Sequence, residues 1–167
     1  MSKRRVVITG MGIVSPVGNS VEESWKNILA GKSGINSLTN LETEGQSVTF
    51  GGSVKNFDIT DYISPKDAKK MDTFIHYGMA AGIQAIEDSG IEVTEQNAER
   101  IGVAIGAGIG GLGTIEKTAD LFREKGAKRI SPFFVPSSII NMISGNLSIK
   151  YGLKGPNFAI VTACTTG

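Results

Sequence analysis

The residue best suited to chemistry is Cys164, the only cysteine among 167 residues. It follows an apolar run and precedes two threonines and a glycine. This pattern is typical of a buried strand that delivers a thiol to a sharp turn, with a helix expected beyond the turn. First-turn amides and the positive end of a helix dipole favour a thiolate and an oxyanion on a thioester carbonyl. Cys164 is therefore a candidate acyl-transfer nucleophile, although most free cysteines are only packing residues.

A thiol nucleophile normally works with an acid or base, most often histidine. The single histidine, His76, falls on a predicted helix over residues 72–89. Its expected role is at a helix surface or at the edge of the core. We therefore expect the catalytic partners of Cys164 to lie beyond Gly167, so that this chain holds only part of an active site.

A glycine-rich segment, GAGIGG at residues 106–111, matches the pattern of a dinucleotide-binding loop. It lies between a predicted strand and a predicted helix, as such loops do. However, it stands mid-chain, and no acidic residue follows about 20 positions later. GMG at residues 10–12 is a weaker copy with the same defect. The sequence thus favours tight strand-to-helix turns over dinucleotide binding.

Two short basic groups are candidates for binding an acidic partner. One follows the predicted helix start at Ser64, and the other precedes an extended, proline-bounded segment at residues 131–136 whose aromatic residues could line an apolar slot. Such groups are usually solvated surfaces, and the aromatic residues could be ordinary core. The residues concerned are Lys66, Lys69 and Lys70 in the first group, Lys125, Lys128 and Arg129 in the second, and Phe133, Phe134 and Val135 in the segment.

The elements that must position these residues alternate along the chain. Buried strands are predicted at residues 5–9, 101–105 and 158–161, and a short strand within residues 48–54. Helices are predicted from Ser20 to Gly31, from Ser64, and over residues 72–89, 114–125 and 137–151. This order predicts an α/β fold with a mainly parallel sheet in one domain, residues 1–167. The last strand should be central and covered on both faces.

Composition excludes several classes of protein. A net charge of +1 gives no general attraction to nucleic acid, and no apolar run is long enough to cross a membrane. One cysteine and one histidine exclude an internal disulfide framework and make a structural zinc site improbable. No signal segment is evident at the start, so the expected location is the cytoplasm.

Six ordered motifs make the chain resemble the elongating β-ketoacyl-[acyl-carrier-protein] synthases of the thiolase superfamily, and within them the bacterial synthase II group. They follow one another in order from the first predicted strand to the cysteine. The motifs are RRVVITGMG at 4–12, SPVGN at 15–19, GAGIGGLG at 106–113, ISPFFVPS at 130–137, YGLKGP at 151–156 and TACT at 162–165.

The resemblance implies the N-terminal half of a thiolase-like fold, homodimeric, with no cofactor beyond the phosphopantetheine of acyl carrier protein. It implies that Cys164 accepts the acyl chain and that its amide donates to the oxyanion. Ile109 would gate the acyl pocket, and Phe134 would lie near that pocket and the dimer interface. The basic residues Lys66, Lys69, Lys70, Lys128 and Arg129 would face acyl carrier protein.

The implied reaction is a decarboxylative condensation with malonyl-[acyl-carrier protein] in fatty-acid elongation, which two histidines and a lysine after residue 167 would support. Another thiolase-fold acyltransferase, such as a polyketide-type synthase, remains open. So does a non-catalytic half that complements a separate chain. We also expect the isolated segment to expose apolar sheet surface and to aggregate.

Overall fold

The computed structural model describes residues 4–39 and 42–166. Its elements are, in chain order, α1 (Val21–Leu29), β1 (Ile35–Ser37), β2 (Phe50–Gly52), α2 (Pro65–Ala68), α3 (Thr73–Ser89), β3 (Val103–Ala104), α4 (Leu112–Lys125), α5 (Phe134–Ser138), α6 (Met142–Tyr151) and β4 (Asn157–Phe158). Within these ranges each sheet has two strands: β1 pairs antiparallel with β2, and β3 parallel with β4. The predicted α/β class is confirmed. No helix of the described ranges has the length and apolarity needed to span a bilayer.

The sequence signals at helix ends are confirmed. The Ser20 hydroxyl accepts from the Glu23 amide, as predicted. The Glu23 carboxylate also reaches back, but it accepts from Asn19 N at 2.8 Å, one residue before the N-cap amide of a capping box. The longest helix, α3, is capped by Asp72 and ends at Gly90, whose φ of +63° reverses the chain. Side-chain acceptors and a left-handed glycine therefore set the helix bounds locally.

The core lies between α3 and α6. Ile75 and Leu147 are 0% and 1% exposed, and Ile143 packs beside them. A Cβ at Gly78 would come within 2.6 Å of the Ile143 side chain. Glycine at this position therefore allows the two helices to approach closely.

The loop of residues 10–19 is fixed to α3 by side chains of that helix. Gln84 Oε1 accepts from Ile13 N at 3.2 Å, and Gln84 Nε2 donates to Asn19 O at 2.8 Å. Asp88 Oδ2 accepts from Met11 N at 2.9 Å. These bonds hold the loop in place without a regular strand before it.

The strands are shorter than predicted, and one is missing. Residues 5–9 form no strand, and Val6 and Ile8 are 90% and 84% exposed. The strands predicted at 101–105 and 158–161 reduce to β3 and β4, and Ile160 beyond β4 is half exposed. The expected burial of the last strand on both faces is therefore wrong for this chain. Apolar strands become buried only where neighbouring strands and helices cover them, and the described residues supply β3 alone beside β4.

The helix predicted over 137–151 is split in two. Ser138 O accepts from Gly111 N at 2.9 Å instead of continuing a helical ladder, and Ile139 is extended with ψ of 144°. The predicted extended segment at 131–136 is also partly wrong, because α5 begins at Phe134. Pro136 fits there because it lies in the first helical turn, where an amide has no intrahelical partner.

Candidate active site

Cys164 lies in a tight, exposed turn. The turn Ala163–Thr165 is a single 3₁₀ turn, and Ala163 has a φ of +52°, a left-handed conformation that costs a non-glycine residue about 1–2 kcal/mol. Thr165 Oγ1 donates to Thr162 O at 2.8 Å, and Thr166 Oγ1 donates to Ala163 O at 2.7 Å while accepting from Thr162 N. The predicted sharp turn is therefore confirmed, and threonine hydroxyls stabilise it. The thiol is exposed and not bonded in a disulfide.

The glycine-rich loop, residues 106–111, packs directly against this turn. A Cβ at Gly106 would clash with Ile160 O and with the methyl group of Thr166, and a Cβ at Gly108 would lie 3.4 Å from Ala163 O. Glycine is thus needed at residue 106 because two backbone segments touch. Ile109, the next residue in the loop, is 69% exposed. The structure therefore brings the loop of the expected pocket residue to the turn of the candidate nucleophile.

The carboxyl end of the glycine-rich loop is held by two anchors. Gly111 N donates to Ser138 O at 2.9 Å. Asp72 Oδ2 accepts from Thr114 N at 3.1 Å and from Thr114 Oγ1 at 2.5 Å. The sequence marks Asp72 as a residue at the start of a helix, but nothing in it indicates the contact with Thr114, 42 residues later.

Phe134 is half-buried at the first position of α5. Its carbonyl accepts from the hydroxyls of Ser137 and Ser138, both at 2.9 Å. Ser138, at the opposite end of this one-turn helix, contacts the glycine-rich loop. Phe134 therefore belongs to the element that supports the loop, about one helical turn from the contact itself.

The first basic group spans the end of α2. Lys66 and Lys69 are exposed. Lys70 Nζ lies 2.7 Å from Asp67 Oδ1 and 5.6 Å from the centre of the Phe133 ring. The hydrogen bond from Lys70, followed by one from Ser64, lowers the pKa of Asp67. One of the three lysines is therefore paired, and it links α2 to the segment that leads into α5.

The second basic group begins at Lys125, the last residue of α4, and continues on the turn Ala127–Arg129, where Lys128 and Arg129 are both exposed. It precedes Phe133 by only four residues. A cleft of about 470 Å³ opens beside Phe133, with Lys70, Met71, Met79 and Met142 among its lining residues. Neither Cys164 nor Ile109 lines this cleft. Of the two basic groups, only Lys70 lines this cleft, which is separate from the cysteine turn.

Comparison with known proteins decides the family. The family described as "Beta-ketoacyl synthase, N-terminal domain" matches residues 3–167. The chain belongs to this family.

Relatives of this ketosynthase domain are much longer than the chain itself. The chain is 65% identical over 167 residues to 3-oxoacyl-[acyl-carrier-protein] synthase 2 of Vibrio cholerae serotype O1, covering all of the chain and 40% of that relative. The ishigamide ketosynthase/chain length factor matches with a TM-score of 0.83 at 26% identity, covering 99% of this chain and 42% of that one. A chain of the solved complex between a type II polyketide synthase acyl-carrier protein and its ketosynthase matches with a TM-score of 0.73 at 25% identity, covering 96% of this chain and 42% of that one. The chain spans about 40% of the length of the curated relatives it matches.

Within this ketosynthase domain, the structure explains the glycine-rich loop and His76, two features for which the sequence suggested no catalytic role. Close contacts account for three glycines of the glycine-rich loop, because a Cβ would clash with Ile160 and Thr166 at Gly106 and with Ser138 at Gly110 and Gly111. His76 Nε2 forms a hydrogen bond with Ala68 O at 2.9 Å and so links α3 to α2. This is the core-edge role expected from the sequence.

Proposed function

We propose that the longer polypeptide containing this domain is a β-ketoacyl-[acyl-carrier-protein] synthase of fatty-acid elongation. It would condense an acyl thioester with malonyl-[acyl-carrier protein], release carbon dioxide and form β-ketoacyl-[acyl-carrier protein]. The observation that carries the proposal is the 65% identity, over the whole chain, to a 3-oxoacyl-[acyl-carrier-protein] synthase 2. The exposed Cys164 in a strained turn is consistent with it.

In the first half-reaction, Cys164 receives the acyl group. Its sulfur bonds to the thioester carbonyl carbon, and the phosphopantetheine thiol of the carrier leaves with a proton. The Cys164 amide is our candidate for one oxyanion donor, because a preorganised N–H stabilises the charge that develops on the carbonyl oxygen. Ile109 and Phe134 are our candidates for the walls of the acyl pocket. Ile109 is supported by the contact between its loop and the cysteine turn.

The second half-reaction needs groups that this chain does not contain. Malonyl loses carbon dioxide, and the resulting enolate carbon attacks the acyl-enzyme carbonyl and releases the sulfur of Cys164. We propose that two histidines and a lysine, on the part of the protein that corresponds to the remaining length of its relatives, support this step. Residues 1–167 would then be an N-terminal half that is inactive alone and needs no separate cofactor.

Acyl carrier protein is the proposed partner. It would contact the exposed residues Lys66, Lys69, Lys128 and Arg129, together with Lys70, because an acidic partner is attracted by exposed cations. A similar solved ketosynthase is bound to an acyl-carrier protein, which supports this partner. We further propose a cytoplasmic homodimer. A polyketide-type synthase is the second candidate, favoured by the likeness to the ishigamide ketosynthase/chain length factor. A non-catalytic half that complements another chain is the third.

Labelling of Cys164 tests the proposal. The full-length protein is incubated with an acyl-[acyl-carrier protein] and digested, and the mass of the peptide that contains Cys164 is measured. We expect the mass of one acyl group on that peptide, and its release as a β-ketoacyl product when malonyl-[acyl-carrier protein] is added.

Cys164→Ala should lose the label, whereas His76→Gln should keep it. An unlabelled Cys164 in an otherwise folded protein would overturn the assignment of the nucleophile. Acylation with iterative extension, without release of a single β-ketoacyl product, would favour the polyketide-type synthase. Condensation by residues 1–167 alone would contradict the proposal that this half is incomplete.

A further inference from the structure

We propose that Asp72 is a positioning residue, which holds the glycine-rich loop, and with it Ile109, in register with the turn of Cys164. The effect on acyl selectivity rests on the function proposed above, whereas the structural linkage does not. Asp72 itself touches neither Cys164 nor the expected pocket. Its role would be exerted through the backbone that connects α3, α4 and the loop.

One carboxylate serves two helices. Asp72 Oδ1 accepts from Phe74 N at 3.3 Å and caps α3. The other oxygen, Oδ2, accepts from both Thr114 N and Thr114 Oγ1 in the first turn of α4. Each helix N-terminus carries partial positive charge, so the carboxylate is favourable at both. The bond to Thr114 joins segments 42 residues apart in sequence.

The loop enters α4 directly beside this carboxylate. A Cβ at Gly111 would lie 3.1 Å from Asp72 Oδ2 and 2.9 Å from the Cα of Ser138. Gly111 is therefore enclosed between the two anchors, since its amide also donates to Ser138 O. Gly110, with a φ of +86°, then turns the chain toward Ile109.

The opposite end of the loop touches the nucleophile's turn. Gly106 and Gly108 lie against Ile160, Ala163 and Thr166 through the contacts described above. While the contacts at both ends of this short segment are intact, they fix the position of one end relative to the other. Releasing the Asp72 anchor should therefore loosen residues 106–111 and change how Ile109 borders the space beside Cys164.

Two measurements on the full-length protein test this inference. Hydrogen exchange of residues 106–114 reports the loop directly. Cys164 is also alkylated with iodoacetamide and with a long-chain alkyl iodoacetamide. The ratio of the two rates reports how the loop limits the space beside the thiol, and it does not require turnover. Rates of acylation by short and long acyl-[acyl-carrier protein] then connect that ratio to selectivity.

Asp72→Ala and Thr114→Val should both accelerate exchange at residues 106–114 by about tenfold or more, as expected when a hydrogen bond to a charged group is lost. Both should change the alkylation ratio in the same direction, by about threefold or more on the same grounds. Thr114→Ser keeps the hydroxyl and should match the unaltered protein. Thr114→Val retains the Thr114 amide, so it serves as the test if Asp72→Ala does not fold.

Ser20→Ala is the matched control, because Ser20 caps α1 alone, by accepting from Glu23 N. It should lower the melting temperature without changing the alkylation ratio. The inference is overturned if Asp72→Ala and Thr114→Val leave both readouts unchanged, or if Ser20→Ala changes them equally. If the unaltered protein is never acylated, the proposed function fails, while exchange and alkylation still decide the role of Asp72.

Discussion

Two regions of this domain have similar apolar sequences and opposite environments. In the pair α3 and α6, Ile75 and Leu147 are almost completely buried. In the strand-like segments at residues 6–8 and 159–161, every valine and isoleucine is about half exposed or more, with exposed fractions from 45% at Val161 to 90% at Val6. Hydrophobicity alone therefore does not decide burial here. The difference depends on what each kind of element needs from the rest of the chain.

A helix satisfies most of its backbone hydrogen bonds internally and needs one partner face. An interior strand needs neighbours on both edges and cover on both faces. The helix pair obtains its partner within the described residues, whereas the segments at 6–8 and 159–161 do not. Cys164 follows the second kind of region. The segment before Cys164 is held to β3 by backbone pairing and to α6 by Asn157 Nδ2, which donates to Ser144 O at 2.9 Å and to Ser148 Oγ at 2.6 Å.

Truncation inside the helix pair should have the largest effect. Leu147→Ala should lower the free energy of unfolding of the 167-residue chain by about 2–5 kcal/mol, because it removes a buried side chain and leaves a cavity. Ile149→Ala on the same helix is the control, since Ile149 is exposed, and should change it by no more than about 0.5 kcal/mol. Urea unfolding followed by circular dichroism measures both. Equal losses would show that α3 and α6 are not the self-sufficient core of this chain.

Polar substitution in the exposed region should affect association more than stability. Val6→Thr combined with Ile8→Thr should leave the unfolding free energy of the 167-residue chain within about 0.5 kcal/mol, because both side chains are already in solvent. The same pair should reduce self-association, which exposed apolar surface promotes. Sedimentation velocity over a concentration series provides the measurement. A monodisperse unaltered chain would contradict both this expectation and the aggregation predicted from the sequence.

The smallest effect on stability should come from substitution of Asp67 on the polar surface, because the packing of neither region is involved there. Hydrogen bonds from Lys70 and then Ser64 lower the pKa of Asp67 in the folded chain. Its contribution to stability is therefore present above the ordinary aspartate range and is lost as the pH falls through the lowered pKa. Asp67→Asn should melt slightly below the unaltered chain at pH 7, and the difference should shrink as the pH falls below the ordinary aspartate range. Lys70→Gln should reduce the same acid sensitivity, and melting curves at pH 7, 5 and 3 would show whether it does.

Much of the architecture is predictable because its signals are local. Ser20, Ser64 and Gly90 mark helix ends by short-range hydrogen bonding and by backbone conformation, and the structure has α1, α2 and α3 where these signals indicate. The sharp turn at Cys164 is local too, since it depends on a small residue and neighbouring threonine hydroxyls. The split between α5 and α6 escaped prediction because its cause, the bond from Gly111 to Ser138, is 27 residues distant.

The sequence by itself determined the α/β class, the ends of α1 and α3, the start of α2, the family and the candidate nucleophile, because each depends on residue types at short or ordered spacings. Only the tertiary structure decided which apolar segments are covered, which loop lies against Cys164 and which carboxylate holds that loop. Those outcomes depend on contacts between residues far apart in the chain, such as Asp72 with Thr114. No local pattern encodes such contacts, because their energy appears only once the intervening elements have packed.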